Sequence, residues 1–157
     1  MLLYEISDTL KKAGVKFAIV GGYALALHGL VRATMDVDLV ISLTLEDFEK
    51  VEIALKTIKL TSRLPIRAQD VIKMREEYIR DRNLIAWSFV DYGNPSRQAD
   101  ILITKDVRQM EVVKISVSGR KIPVASLKEL LKMKKESARP QDLVDIENIK
   151  VKINEKK

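Results

Sequence analysis

Residues 20–41 read VGGYALALHGLVRATMDVDLVI. The segment opens on Gly21-Gly22, behind the short apolar run KFAIV, and thirteen residues then separate Gly22 from Asp36-Val37-Asp38. GYALALHG reads as a short helix closed by Gly29, and VDLVIS as a strand. In a strand, side chains alternate between faces, so Asp36 and Asp38 project together while Val37, Leu39 and Ile41 face the helices. Carboxylates in such a setting need a partner, either a basic side chain or a metal ion. A hard divalent cation such as Mg²⁺ takes oxygen ligands. The plainer alternative is two exposed acids on a solvated face, paired with Arg32. The glycines allow a ligand close to the backbone, and a helix start offers free N–H groups to phosphate. A tight strand-to-helix turn explains them equally well.

Outward from this stretch, LLYEISDTLKKAG places Leu3, Ile6, Leu10 and Ala13 at helical spacing, with Gly14 as the stop. Thr44 can cap a further helix with Phe48, Val51, Leu55 and Ile58 in one stripe. Residues 59–68 are ambiguous, broken by Pro65, and DVIKMREEYIR is compatible with a helix. NLIAWSFVD, the turn cluster YGNPS and QADILIT form a hairpin over residues 84–103, and EVVKISVSG and RKIPVA two more strands across Ser118-Gly119. Ser126-x-x-Glu129 is a capping box ahead of LKELLKMKKES, and Pro140 starts a last helix with Leu143, Ile146 and Ile149 inward. The expected class is α+β, with a mixed sheet, helices mainly on one side and a helical C-terminal segment. Residues 1–157 are expected to form one domain, an α/β core to residue 125 and C-terminal helices beyond.

The 157 residues include 46% hydrophobic side chains, enough for a core, and no cysteine, which excludes disulfides and thiolate metal sites. No apolar run is as long as a membrane span, and the N-terminus carries acids among its apolar residues, unlike a signal peptide. A cytoplasmic protein without membrane contact is expected. The net charge of +6 suits an anionic ligand such as a nucleotide or nucleic acid. It is equally the charge of a generic lysine-coated surface.

Asp100 is a lone acid between Ala99 and Ile101 on a predicted strand. If that strand lies near VDLVI, Asp100 completes a cluster of three carboxylates, a set that can hold two metal ions for in-line phosphoryl transfer. Together, Gly21-Gly22, Asp36-Val37-Asp38 and Asp100 resemble the signature of the nucleotidyltransferase superfamily built on a polymerase-β-like palm. GGYALALHG followed by RATMDVDL is most similar to the small AbiEii-like and minimal (MNT-type) nucleotidyltransferases. SLKELLKMKKESARPQDLVDIENI resembles their closing segment.

The resemblance implies transfer of a nucleoside monophosphate from a nucleoside triphosphate, ATP favoured, to a hydroxyl acceptor (EC 2.7.7 type). Gly21 and Gly22 would hold the triphosphate, Asp36 and Asp38 would bind Mg²⁺, with two ions expected, and Asp100 would share a metal and act as general base. Relatives of this kind occur in toxin–antitoxin pairs, with a HEPN-type protein or transfer RNA as acceptor. Aminoglycoside-modifying relatives act instead on small hydroxylated molecules, and a non-catalytic binding module would keep the fold alone. Arg32 and Thr34 precede the acids; Arg32 would reach phosphate or pair with Asp36 or Asp38. Lys134 would contact the triphosphate or be an ordinary surface lysine. Arg139, Asp142 and Asp145 read as structural partners between the last helices, His28 as packing or capping, and Trp87 as core. The acceptor, the nucleobase and the oligomeric state are not encoded in any motif.

Overall fold

The computed structural model describes residues 1–33, 36–137 and 139–155. The apolar run at Phe17–Val20 forms β1 and pairs antiparallel with β2 (Val37–Ile41), with Val20 opposite Asp38. β2 pairs parallel with β5 (Gln98–Leu102), Asp38 facing Asp100, and β5 pairs antiparallel with β4 (Ala86–Val90), Asp100 facing Ser88. β3 (Thr61–Ser62) lies on the outer edge of β4. On the other side β1 runs parallel to β7 (Arg120–Ala125), which forms a hairpin with β6 (Val112–Val117). The seven-stranded order is β3-β4-β5-β2-β1-β7-β6.

Residues directly opposite across strands share a face. One row therefore reads Ile19, Leu39, Ile101 and Trp87, and its neighbour on the reverse face reads Val20, Asp38, Asp100 and Ser88. The apolar row is buried under helices. α3 (Leu45–Lys56) stacks Phe48 on Trp87, ring centroids 5.9 Å apart, and Trp87 meets Phe89 at 4.5 Å. α1 (Leu2–Lys12) and α4 (Ala68–Arg82) flank α3. Leu3, Ile6 and Leu10 give α1 its inward stripe, and Gly14 ends it with φ +74°. Thr44 caps α3, its hydroxyl accepting from the Asp47 N–H at 3.2 Å. The sheet is mixed and helix-covered, the α+β class that the sequence suggests.

α2 (Gly21–Leu27) bridges β1 and β2, and α5 (Leu127–Ser137) packs against α2, β7 and α6 (Pro140–Glu155). Three local expectations change. The ambiguous residues 59–68 hold the edge strand β3, and buried Leu60 leads into it. The box at Ser126 is half formed: its hydroxyl accepts from the Glu129 N–H at 3.1 Å, but the Glu129 carboxylate accepts from the Glu111 N–H at 3.0 Å instead. Leu143 points outward at 61% exposure, because the inner face of α6 carries Asp142 and Asp145 beside Ile146 and Ile149. Among the described residues, no helix is long and apolar enough to cross a membrane.

Phe48 is fully buried in the aromatic stack. Phe48→Ala is expected to lower the unfolding free energy by about 3–5 kcal/mol in urea titrations, through lost burial and the cavity left behind.

Candidate functional site

The site lies at one end of the acidic row. Because β1 and β2 are antiparallel, the end of β1 and the start of β2 meet there, so the Val20–Gly21 junction sits beside Asp38. Gly21 adopts φ +67°, a conformation that L side chains rarely take, and a Cβ built on it would lie 2.3 Å from Asp38 Oδ2. The first glycine is therefore fixed by the carboxylate it touches. Parallel pairing of β2 and β5 then places Asp100 beside Asp38. Asp36 lies in the bend just before β2. Gly21, Gly22, Asp36, Asp38 and Asp100 all line one cavity of about 510 Å³. Its other walls are apolar, from Ile85, Leu102, Leu130 and Met133, and cationic, from Lys134 and Arg32.

Asp38 is half-buried. Burial, the charge of Asp100, a hydrogen bond to Asp100 and the charge of Asp36 push its carboxyl up to about 7, against an opposing pull from Lys134. Asp36 is also raised, by burial and by Asp100, with Arg63 pulling the other way. The donors are oxygen only, the chemistry a hard cation prefers. Asp38 and Asp100 are in contact and Asp36 acts on both by charge. Among the described residues, no group of three or more His, Cys, Asp or Glu side chains is gathered closely enough to hold a metal ion, so the expected cluster of three carboxylates is here the Asp38–Asp100 pair with Asp36 further off.

Arg32 and Lys134 both line the cavity, and both are held there by acids of α6. Arg32 pairs with neither Asp36 nor Asp38 in the described contacts; it donates to Asp145 of α6 at 2.9 Å. Lys134 is no ordinary surface lysine: it is 14% exposed and held by Asp142 at 3.1 Å and Asp145 at 3.0 Å. Asp142 is fully buried. Burial alone would raise its carboxyl, but bonds from Ser137, Arg139 and Lys134 hold it well below the usual carboxylate range. Arg139 donates to it from both its backbone N–H and its guanidinium, at 3.0 and 3.2 Å. The structural reading of Arg139, Asp142 and Asp145 thus matches their contacts, and the same acids hold the cavity's lysine in place. Thr34 lies outside the described residues. His28 ends α2 and its Nε2 meets the Ala125 carbonyl at 2.8 Å, and Trp87 is buried in the aromatic stack.

Sequence reasoning passed over the polar residues that continue the acidic face, Gln98, Ser88 and Arg63. Gln98 was within reach, because it stands two residues before Asp100 on one strand. Arg63 was not, because it lies in the segment whose secondary structure the pattern left open.

Two outcomes test this geometry. Asp38 binds its proton more tightly in the folded chain than in the unfolded one, so unfolding releases protons and stability falls as pH rises from about 4 towards about 7. In metal-free buffer at pH 8, Asp38→Asn is expected to melt roughly 3–10 °C above wild type, with the gap closing at pH 4. Gly21→Ala is expected to cost about 1–3 kcal/mol in chemical denaturation, from the strained φ and the clash with Asp38.

No family model matches the chain, and no curated protein matches it. Solved structures do. The antibiotic-resistance factor ANT(2'')-Ia superposes with a TM-score of 0.65 at 12% identity, over 99% of this chain and 83% of that one. The lincosamide antibiotic adenylyltransferase LnuA, solved with lincomycin bound, gives 0.63 at 17% identity, over 95% and 94%. TM1012 from Thermotoga maritima, assigned as a nucleotidyltransferase, gives 0.61 at 17% identity, over 98% and 91%. At these identities the likeness is one of architecture, and the chain has the nucleotidyltransferase fold.

Proposed function

We propose that the protein is a metal-dependent nucleotidyltransferase that moves a nucleoside monophosphate from a nucleoside triphosphate to a hydroxyl acceptor. The observation that carries this reading is the Asp38–Asp100 pair, set in register beside the Gly21 junction in one cavity of this fold. The oxygen-only donor set fits Mg²⁺. That ion is usually held by one or two carboxylates together with substrate phosphates rather than by a complete protein cage. Asp38 and Asp100 would hold it together with the substrate phosphates, and Asp36 would join them once the ion draws the three acids together, two ions in all. When bound, the metal supplies charge neutralisation at the phosphates and at the attacking oxygen.

The chain's own residues do the rest. Gly21, whose missing side chain makes way for the Asp38 carboxylate, and Gly22 would hold the triphosphate at the start of α2, and Lys134 and Arg32 give the cavity wall positive charge. Asp100 takes the proton of the acceptor hydroxyl. The acceptor oxygen bonds to the α-phosphorus, the bond from that phosphorus to the β-phosphate bridging oxygen breaks, and pyrophosphate leaves with the electron pair. The apolar wall of Ile85, Leu102, Leu130 and Met133 packs against the uncharged part of a substrate.

For the acceptor, the toxin–antitoxin reading, with a HEPN-type protein or transfer RNA receiving the nucleotide, rests on the resemblance of residues 20–41 and 126–146. A small hydroxylated molecule is the second reading. It is favoured by the match over 94% of LnuA, an adenylyltransferase of a lincosamide antibiotic. Incubation with α-labelled nucleoside triphosphates, ATP first, with Mg²⁺ and panels of aminoglycosides, lincosamides, transfer RNA and candidate proteins separates them by which acceptor takes label. Asp38→Asn and Asp100→Asn are each expected to lower transfer by about 10²- to 10⁴-fold. Transfer at the wild-type rate by Asp38→Asn sinks the metal-site reading.

A further inference from the structure

Beyond the carboxylates the acidic face continues as a bonded chain. Asp100 Oδ1 accepts a hydrogen bond from Gln98 Nε2 at 3.0 Å, and Gln98 Oε1 accepts one from Arg63 Nη2 at 3.1 Å. Gln98 and Asp100 are two apart on β5 and share a face. Arg63 directly follows β3, and its backbone N–H donates to the Ser88 carbonyl at 2.9 Å. That bond extends the row Asp38, Asp100, Ser88 by one more position. The Tyr92 hydroxyl, donating to the Arg63 carbonyl at 3.3 Å, fixes the same backbone from its other side.

The chemistry of the three groups allows only one arrangement. A guanidinium has donors and no acceptor, an ionised carboxylate has acceptors and no donor, and the amide between them has one of each. With its oxygen towards Arg63 and its nitrogen towards Asp100, Gln98 satisfies both. Turned over, it would set donors against donors and acceptors against acceptors. Arg63 therefore decides which way the amide points, and the amide restrains the rotation of the Asp100 carboxylate. Among the described residues, Gln98 and Arg63 hydrogen-bond to no carboxylate side chain other than Asp100, Arg63 acts on Asp36 by charge alone, and neither lines the cavity itself.

We propose that Gln98 and Arg63 are positioning residues for Asp100, holding its carboxylate in the orientation in which it joins Asp38 in binding a divalent cation. This rests on the metal-dependent reading above. Outer partners of a metal ligand commonly change affinity by about 10-fold or more when removed.

The test uses Mn²⁺ as the probe, its free-ion electron spin resonance signal titrated against the full chain, first without nucleotide and then with a non-hydrolysable nucleoside triphosphate present. Wild type, Gln98→Ala, Arg63→Ala, Arg63→Lys and Asp38→Asn are compared, with a thermal melt of each as the check of folding. Gln98→Ala is expected to weaken Mn²⁺ binding by roughly 10-fold. Arg63→Ala, at an exposed position, is expected to weaken it less, and Arg63→Lys, which keeps a donor, to restore it. In transfer assays both alanine variants are expected to lower kcat while leaving KM for the nucleotide within about twofold of wild type. Wild-type Mn²⁺ affinity in folded Gln98→Ala and Arg63→Ala overturns the proposal and leaves the metal-dependent reading standing. A wild-type chain that binds no Mn²⁺ either alone or with a non-hydrolysable nucleoside triphosphate present, or binds it under both conditions no better than Asp38→Asn, overturns both.

Discussion

Asp38 and Asp100 stand side by side on adjacent parallel strands, and no arrangement of the sheet can separate them while β2 and β5 stay in register. Two carboxylates at strand spacing repel, and half-burial removes the water that would screen them. The chain meets this with a proton held on Asp38 to about pH 7, a hydrogen bond between the two groups and the charge of Lys134 nearby. Each is a partial remedy. The arrangement leaves negative charge focused in one cavity, which a cation would relieve and an apolar replacement would simply abolish. Stability and the proposed chemistry pull against each other at this point, as expected where a site is kept for binding rather than for folding.

The rest of the molecule makes that conflict tolerable. On the reverse face, Ile19, Leu39, Ile101 and Trp87 lie under Phe48 and the helices α1, α3 and α4, so the strands that carry the acids are anchored by the apolar row behind them. Above the acidic face, α5 is tied to α6 through Lys134, Asp142 and Asp145, and Asp145 also takes Arg32 from the loop that leads towards Asp36. One buried ionic cluster thus connects the C-terminal helices, the loop between α2 and β2, and the wall of the cavity. Breaking a buried cluster of this kind by removing one partner costs far more than its net contribution suggests.

Much of this was legible in residues 20–41. Alternation along VDLVI put Val37, Leu39 and Ile41 against the helices, and all three are fully buried. The hairpin over residues 84–103 and the turn at Ser118-Gly119 followed from turn residues between apolar runs, and both strand pairs are there. Local signals failed where a local rule was outbid by a distant partner. Glu129 completes no box because the Glu111 N–H takes its carboxylate. Leu143 faces outward because Asp142 and Asp145 claim the inner side of α6 for Lys134, Arg139 and Arg32. Arg32 reads as the natural partner of the acids that follow it, yet Asp145, far along the chain, holds it.

The sequence by itself determined the class of the fold and the identity of its charged residues of interest, because strand and helix periodicity and the cost of a lone acid in an apolar run are local properties. It determined, too, that a glycine pair opens a helix after a strand. Only the tertiary structure decided that Asp100 lies opposite Asp38, because parallel pairing joins segments that no local pattern connects. Only it decided that Gly21 must be glycine, since the reason is an Asp38 oxygen delivered by the antiparallel return of β2. And only it gathered Gln98 and Arg63 behind Asp100, across three strands, where a hydrogen bond needs an approach within about 3 Å that spacing along a chain does not specify.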